Sequence, residues 1–247
     1  MNNIKIKLKE FKLAGIYNSL EERVNYAKSK SLSYLQFLEL LLEDELNNRS
    51  DNSYRKRYAK AKLPAHKTIE DFDFSFQPSI NRKTFNDVAT CQFITQHNNA
   101  VFIGNPGTGK THMATAIGIR ALAKGFKVLF TSVTEMLYNL NVSKADNSYY
   151  KKIDYYMGVD LLIMDELGFK KLPAYSAGDF FEIISRRYEK GSIIITTNKP
   201  FENWGDIFDD SVLANAILDR VVHHSDIFKI TGQSYRTKTL KNRKEND

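Results

Sequence analysis

Residues 104–111, GNPGTGKT, have the types and spacing of a loop that binds phosphate groups. Its glycines let successive backbone N–H groups turn toward an anion, and the helix that follows adds the positive end of its dipole. In this pattern Lys110 reaches the β- and γ-phosphates of a nucleoside triphosphate, and Thr111 holds Mg²⁺. We therefore expect ATP and Mg²⁺ as cofactors. The expected cofactor-binding residues in this segment are Gly104, Asn105, Pro106, Gly107, Thr108, Gly109, Lys110, Thr111 and His112. Packing is the more ordinary role for the histidine.

Two carboxylates follow an apolar run in LLIMDE, residues 161–166. Asp165 is expected to bind Mg²⁺, usually through water, so the expected metal ligands are Thr111 and Asp165. Glu166 is placed to polarise the water that attacks the γ-phosphate. A further polar group, Asn198, ends the run IIITTN and is placed to orient that water or to contact the γ-phosphate. The alternative for Asn198 is a turn-forming role before the next proline.

Elements that position these residues are visible as five short apolar runs with helical segments between them. The runs are AVFI (100–103), KVLFT (127–131), DLLIMD (160–165), SIIITT (192–197) and IFKI (227–230). Runs that are apolar on both faces and separated by helices are typical of a parallel sheet covered on both sides. We therefore expect an α/β domain with a five-stranded parallel sheet, in which the phosphate loop joins the first strand to a helix.

The N-terminal part of the chain has helical rather than alternating patterns. Apolar residues at helical spacing predict a helix over residues 8–30, and Ser33 with Gln36 forms a capping box for a second helix. A third, basic helix is expected over roughly 49–62, ended by a proline.

After these helices, phenylalanine alternates with polar residues over 72–76, a period of two that indicates extended backbone. We therefore expect three parts in the chain. A small all-helical domain over 1–62 binds DNA or a partner, an extended connector covers 63–79, and the α/β domain covers 80–247.

Net charge is +7, and residues 54–67 contain several Lys and Arg but no acid. This basic run favours binding to the phosphates of DNA, while its ordinary alternative is a solvated surface. From charge alone, the candidate DNA-binding residues are Arg55, Lys56, Arg57, Lys60 and Lys62. No apolar run approaches the length of a membrane span, and no signal peptide is evident. The single cysteine, Cys91, fits a reducing cytoplasm.

One arginine lies where apolar residues are expected. In SVLANAILDRVVHHS, residues 211–225, helical spacing puts Arg220 on the stripe that contains Leu213 and Ile217. Burial of an unpaired guanidinium is costly. Arg220 therefore either pairs with a nearby acid, Asp219 or Asp226, or has a partner outside its own subunit.

The motifs GNPGTGKT, LLIMDE and TTN, followed by a helix with an arginine, resemble the AAA+ ATPases. The blocks KLPAHKTIEDFDFSFQPSI, MDELGFKKL and SRRYEKGSIIITTNKPFENWGDIFDDSVLANAILDRVVHHSDIFKITGQSYR resemble the IstB family more narrowly, over nearly the whole chain. The resemblance implies that Glu166, Asn198 and Arg220 are catalytic, with Arg220 acting on ATP bound by the neighbouring subunit. It also implies that Arg236 contacts the phosphates within its own subunit. Too few residues follow Arg220 for a full C-terminal helical lid, as in this family.

The resemblance further implies an ATP-dependent helper of an insertion-sequence transposase in the bacterial cytoplasm. Its implied partners are duplex DNA, bound largely without sequence specificity, the cognate transposase, and further copies of the chain with ATP sites at their interfaces. The alternative is a DnaC-type replicative helicase loader, which the ATPase residues alone do not separate from the helper. A DNA-cutting transposase is disfavoured because no room remains for a nuclease fold. A module that binds ATP without hydrolysis is disfavoured by Glu166.

Overall fold

The computed structural model describes residues 2–170, 172–208, 210–235 and 237, apart from the side chains of residues 174 and 175. The chain divides into two units, Met1–Arg57 and Tyr58–Asp247. The division falls within a helix, and the boundary expected after residue 62 lies just past the end of that helix.

Three helices occupy the N-terminal segment: α1 (Asn2–Glu10), α2 (Ala14–Lys30) and α3 (Tyr34–Ala61). The capping box is confirmed, since Ser33 N–H donates to Gln36 Oε1 at 2.9 Å and Gln36 N–H donates to Ser33 Oγ at 3.3 Å. The prediction of a separate basic helix over 49–62 was wrong. Neither glycine nor proline interrupts residues 34–61, so the helix runs on through the change from acidic to basic composition.

Within the first unit, a small apolar cluster forms between α2 and α3 around Ile16, Leu20 and Leu41. Glu45 is buried beside it and accepts hydrogen bonds from the N–H groups of Gly15, at 2.7 Å, and Ile16, at 3.3 Å. A carboxylate at these positions satisfies donors at the start of α2 that have no partner inside the helix. The acidic half of α3 therefore helps to hold α2.

The segment after α3 folds into consecutive turns, so the prediction of an extended connector was wrong. Asp73 Oδ1 accepts hydrogen bonds from Ser75 N–H at 3.1 Å and Ser75 Oγ at 2.5 Å, which closes a local turn. Phe74 packs against Phe85, with ring centroids 5.4 Å apart. The alternation of apolar and polar residues here reflects turns whose aromatic side chains pack on the larger unit.

The larger unit is built on five parallel strands: β1 (Asn99–Gly104), β2 (Val128–Ser132), β3 (Leu161–Leu167), β4 (Ser192–Thr197) and β5 (Ser225–Ile230). Their order is β2-β3-β4-β1-β5, and every neighbouring pair is parallel. Each strand contains most or all of a predicted apolar run, so the five-stranded parallel sheet is confirmed. β3, β4 and β1 are the inner strands, and almost every residue in them is buried, which explains their continuous apolar character.

Helices connect and cover the strands. They are α4 (Arg82–Ala89), α5 (Gln92–Thr95), α6 (Lys110–Ala123), α7 (Val133–Ala145), α8 (Tyr149–Met157), α9 (Ala174–Arg187), α10 (Trp204–Phe208) and α11 (Ser211–Val222), with a 3₁₀ turn at Phe201–Asn203. No helix in the described part of the chain is long and apolar enough to span a membrane. Since all strands are parallel, the polar residues that follow β1 and β4 and those near the end of β3 meet at one edge of the sheet.

A buried arginine at the end of α9 joins several chain segments. Arg187 is 2% exposed, and its guanidinium donates to the carbonyls of Tyr156 at 3.0 Å, Val159 at 3.1 Å, Asp160 at 3.0 Å and Ser192 at 2.8 Å. Burial lowers the pKa of Arg187 to about 10, which leaves it charged at neutral pH. The side chain therefore ties the end of α8 and the starts of β3 and β4 together.

Candidate active site

The loop between β1 and α6 has the backbone that its glycines permit. Gly107 and Gly109 lie at φ 81° and φ 97°, values that other residues rarely adopt. Both are also crowded. A Cβ at Gly107 would lie 2.1 Å from Ser234 Oγ, and one at Gly109 would lie 2.6 Å from a ring carbon of Phe72. The loop thus needs glycine at these two positions for backbone angle and for space.

Lys110 begins α6 and folds its ammonium group over the loop. Its Nζ donates to the carbonyl of Gly104 at 2.7 Å and to that of Asn105 at 2.9 Å. Thr108 Oγ1 donates to the same Asn105 carbonyl at 2.8 Å, which tightens the turn. The positive charge therefore lies at the loop and at the N-terminus of a 14-residue helix, where an anion is favoured.

Thr111 and Asp165 meet across the sheet edge. Thr111 Oγ1 lies 3.0 Å from Asp165 Oδ1 and 3.1 Å from Oδ2, although the residues are far apart in sequence. Asp165 is only 6% exposed. A hydroxyl and a carboxylate are hard oxygen ligands of the kind that Mg²⁺ prefers beside substrate phosphates. The pair therefore fits the predicted metal site.

Glu166 follows Asp165 but faces away from the interior. Its side chain is exposed, and its backbone lies in the left-handed region at φ 64°. No group in the described ranges hydrogen-bonds to its carboxylate, which leaves that carboxylate available to a water molecule. A left-handed backbone at a residue other than glycine is uncommon and often marks a functional position.

Asn198 lies just past β4 with an unsatisfied buried atom. Its amide Oδ1 is buried and has no hydrogen-bond partner among the described residues. It lines a cavity of about 320 Å³ together with Gly104, Asn105 and Lys229. The turn before the proline is formed instead by Thr197, whose Oγ1 accepts from Lys199 N–H at 3.0 Å. A buried polar atom without a partner is costly, and a ligand in this cavity would satisfy it.

The loop also lines a second cavity, of about 310 Å³, which the sequence did not predict. The turn-forming connector and the C-terminal segment supply its aromatic walls, Phe72, Phe76 and Tyr235. Phe76 and Tyr235 meet edge to face, with ring centroids 5.4 Å apart, and Tyr235 N–H donates to Gly107 O at 3.0 Å. Aromatic residues beside a phosphate loop are suited to contact the adenine ring of a bound nucleotide. Because these residues lie far from the loop in sequence, no sequence pattern indicated that they would line this cavity.

His112 has contacts on the same side of the loop. Its Nε2 lies 2.8 Å from Thr68 O, and its ring packs edge to face on Phe72 at 5.3 Å. The histidine thus lines the cavity and holds the connector in place, which fits the packing role.

Arg220 is half-buried on α11 and pairs with neither of the expected acids. Its Nη1 donates to Ala216 O at 2.9 Å, and its guanidinium lies 4.9 Å from the ring centroid of Phe181. No carboxylate in the described part of the chain forms a salt bridge with it. Burial, together with the charge of Asp87, raises the pKa of Asp226, as expected for a carboxyl without a cationic partner. The guanidinium therefore keeps most of its donors available.

The remaining candidates are Arg236 and the five cations at the end of α3 and just after it. Arg55, Lys56 and Arg57 lie in the first unit, and Lys60 and Lys62 lie in the second. All are exposed except Arg57, which is half-buried. The Nζ atoms of Lys62 and of Lys152 each lie 5.7 Å from the ring centroid of Tyr155, so they form one small basic and aromatic cluster. Arg236 lies outside the described residues.

The strand order, the glycine loop after β1 and the paired acids at the end of β3 define an AAA+ nucleotide-binding domain. Solved structures agree. DnaA from Aquifex aeolicus bound to AMPPCP is 21% identical with a TM-score of 0.59, covering 75% of this chain and 56% of that one. The DnaC helicase loader is 22% identical with a TM-score of 0.54, covering 71% of this chain and 99% of that one. These likenesses concern the fold.

Sequence comparison gives the family. Residues 6–243 match the family described as "IstB-like ATP binding protein", so the chain belongs to this family. A candidate ATP-binding protein of insertion sequence IS21 in Pseudomonas aeruginosa is 39% identical, over 96% of this chain and 90% of that one. A candidate ATP-binding protein of insertion sequence IS5376 in Geobacillus stearothermophilus is 41% identical, over 90% and 89%. The chain is thus an ATP-binding AAA+ protein of a family whose named relatives belong to insertion sequences.

Proposed function

We propose that this protein hydrolyses ATP to ADP and phosphate and, in its ATP-bound form, assembles on duplex DNA as the helper of an insertion-sequence transposase. The observation that carries the hydrolysis is the meeting of Lys110, Thr111, Asp165 and Glu166 at one edge of the sheet. Asp165 lies 3.0 Å from the Thr111 hydroxyl, while the carboxylate of Glu166 stays exposed. A site for binding alone needs no unengaged carboxylate there.

In this proposal each group has a separate task. The loop N–H groups and Lys110 bind the phosphates, and Thr111 with Asp165 would hold Mg²⁺, which supplies neutralising charge when bound. Glu166 accepts a proton from the attacking water while the oxygen of that water bonds to the γ-phosphorus. The bond between the γ-phosphorus and the oxygen that bridges to the β-phosphate breaks, which releases ADP and phosphate. Asn198 offers its unpartnered amide oxygen to that water.

The assembly part of the proposal rests on Arg220 and on charge. Arg220 has no acidic partner among the described residues, and a neighbouring subunit's ATP would supply anionic oxygens for it. The DNA part rests on the net charge of +7 and on the exposed cations of α3. Such contacts bind phosphates without reading bases.

A replicative helicase loader is the competing function, and it shares the fold. The likeness to the DnaC helicase loader is 22% in sequence, whereas the relatives named for insertion sequences reach 39% and 41%. Gene neighbourhood separates the two: a transposase gene beside this one, with terminal inverted repeats outside both, supports the helper. A helicase or primosomal gene beside it, without repeats, would contradict the helper.

The substitution Glu166→Gln tests the hydrolysis. It removes the proton acceptor while keeping size and polarity, so we expect ATP binding to persist and turnover to fall at least about 100-fold. Phosphate release measures turnover, and equilibrium binding of a fluorescent ATP analogue measures affinity. Glu39→Gln, which changes an exposed glutamate on α3, is the control. Unchanged turnover in Glu166→Gln would remove Glu166 from the role of base.

A further inference from the structure

A hydroxyl on β4 joins the two acidic residues of the site. Thr196 is 1% exposed, and its Oγ1 donates a hydrogen bond to Asp165 Oδ1. The same oxygen accepts a hydrogen bond from Glu166 N–H at 3.0 Å. Because a hydroxyl has one proton to donate and lone pairs that accept, both bonds form at once.

The sheet is irregular at this point. Met164 pairs with Ile195 and Leu167 pairs with Thr197, so β3 has two residues between these pairs where β4 has one. This is a β-bulge, a feature that re-aims side chains and is over-represented next to active sites. The bulge sets Asp165 and Glu166 together opposite Thr196.

The bulge also explains how the two acids come to face different ways. Asp165 is buried and turned toward Thr111, whereas Glu166 is exposed with its backbone at φ 64°. A glutamate in the left-handed region persists only where its surroundings hold it. The contact that holds its N–H is the Thr196 hydroxyl, which stands where a regular ladder would offer a backbone carbonyl.

We propose that Thr196 is a positioning residue for ATP hydrolysis, which fixes the Asp165 carboxylate for Mg²⁺ and the Glu166 backbone for the attacking water. The inference rests on the proposed function and adds to it a residue outside the phosphate loop and the acidic pair. Small displacements of such groups lower rates strongly, because reacting atoms must be held close to their productive geometry.

The chain offers a matched control at the next residue. Thr197 is fully buried on the same strand, and its Oγ1 donates to Leu167 O at 2.8 Å and accepts from Lys199 N–H at 3.0 Å. Its hydrogen bonds involve neither Asp165 nor Glu166. Thr196→Val and Thr197→Val therefore remove equivalent buried hydroxyls, and only the first loosens the acidic pair.

The experiment compares the full-length wild type with Thr196→Val, Thr196→Ser and Thr197→Val. We expect Thr196→Val to lower kcat at least about tenfold and to raise the Mg²⁺ concentration for half-maximal activity several-fold. Thr196→Ser keeps the hydroxyl and should restore most of both values, and Thr197→Val should leave both near wild type. A Thr196→Val protein with wild-type kcat and Mg²⁺ dependence would overturn the inference, as would an equal loss in Thr197→Val.

A second readout does not depend on turnover. Binding of a fluorescent ATP analogue is measured with and without Mg²⁺, and Thr196→Val should lose much of the increase in affinity that Mg²⁺ gives the wild type. If the wild type binds ATP but releases no phosphate, the proposed hydrolysis fails. Separately, if Thr196→Val keeps the whole increase in affinity that Mg²⁺ gives the wild type, the positioning of Asp165 by Thr196 is overturned. If circular dichroism shows that Thr196→Val is unfolded, Thr196→Ala repeats both measurements with the same loss of hydroxyl.

Discussion

At the scale of single residues, the proposed function makes Arg220 the link between catalysis and assembly. Its contacts within the subunit are a carbonyl and an aromatic ring, and a guanidinium so placed retains donors for an anion outside the subunit. Arginine binds phosphate groups, like carboxylates, through two parallel hydrogen bonds. The residue is thus suited to act on ATP held by a neighbouring copy.

Arg220→Ala should keep ATP binding and lower the ATPase rate at least about 100-fold. In known cases an arginine that contacts the transferring phosphate raises kcat by about 10³- to 10⁵-fold. Mixed with Lys110→Ala, which keeps its own Arg220 but lacks the phosphate lysine, it should regain part of the rate, because some interfaces then combine an intact site with an intact arginine. Arg186→Ala, at an arginine paired with Glu182, is the control. A mixture that stays inactive while both variants assemble would contradict action across the interface.

The positions of the candidate site residues were predictable where the sequence signal is local. The loop 104–111 and the acids that end β3 follow from spacing alone, because strand, loop and helix are consecutive in sequence. Thr196 was not predictable, since its position in an apolar run gives no sign of a bulge on the neighbouring strand. Phe72 and Tyr235 were missed for a similar reason: they reach the loop through folding of distant segments.

At the scale of elements, the charged guanidinium of Arg187 holds the end of α9 in place through hydrogen bonds to carbonyls. Arg187 is enclosed by carbonyls from the end of α8, from the residue before β3 and from the first residue of β4. Gly191 gives it room, since a Cβ there would lie 2.6 Å from the guanidinium. These strands carry the acidic pair and Thr196, so Arg187 supports the opposite end of the same framework.

Arg187→Met should lower the free energy of unfolding by about 3 kcal/mol or more, because it leaves several buried carbonyls without donors. Urea denaturation followed by circular dichroism measures the change. Arg186→Met, at the adjacent half-exposed arginine, should leave the unfolding free energy nearly unchanged. Equal stability of both variants would show that the carbonyls find other partners.

Elements were predicted well where one pattern persisted and poorly where it changed. All five strands were found, since buried parallel strands have continuous apolar runs. The long α3 was divided in error because its composition turns from acidic to basic, while helix continuity depends on backbone and not on charge. The connector was interpreted as extended because its apolar and polar residues alternate with a period of two. Consecutive turns in which every second residue is a packed phenylalanine give the same alternation.

At the scale of the whole molecule, the proposed function requires ATP binding and DNA binding to act together. Membership of the IstB-like family places the chain among ATP-binding proteins, and a net charge of +7 favours association with a polyanion. The proposed link between the two is that bound ATP joins subunits through Arg220, so that many weak phosphate contacts bind one duplex together. Neither property alone would make DNA binding depend on nucleotide.

Binding of the full-length protein to a fluorescently labelled duplex, followed by anisotropy, tests this link most directly. With a non-hydrolysable ATP analogue we expect tight binding to duplexes of unrelated sequence, weakened at least about tenfold between 50 and 200 mM salt. Without nucleotide, or with Lys110→Ala, binding should be much weaker. Affinity that changes neither with nucleotide nor with salt would contradict the account.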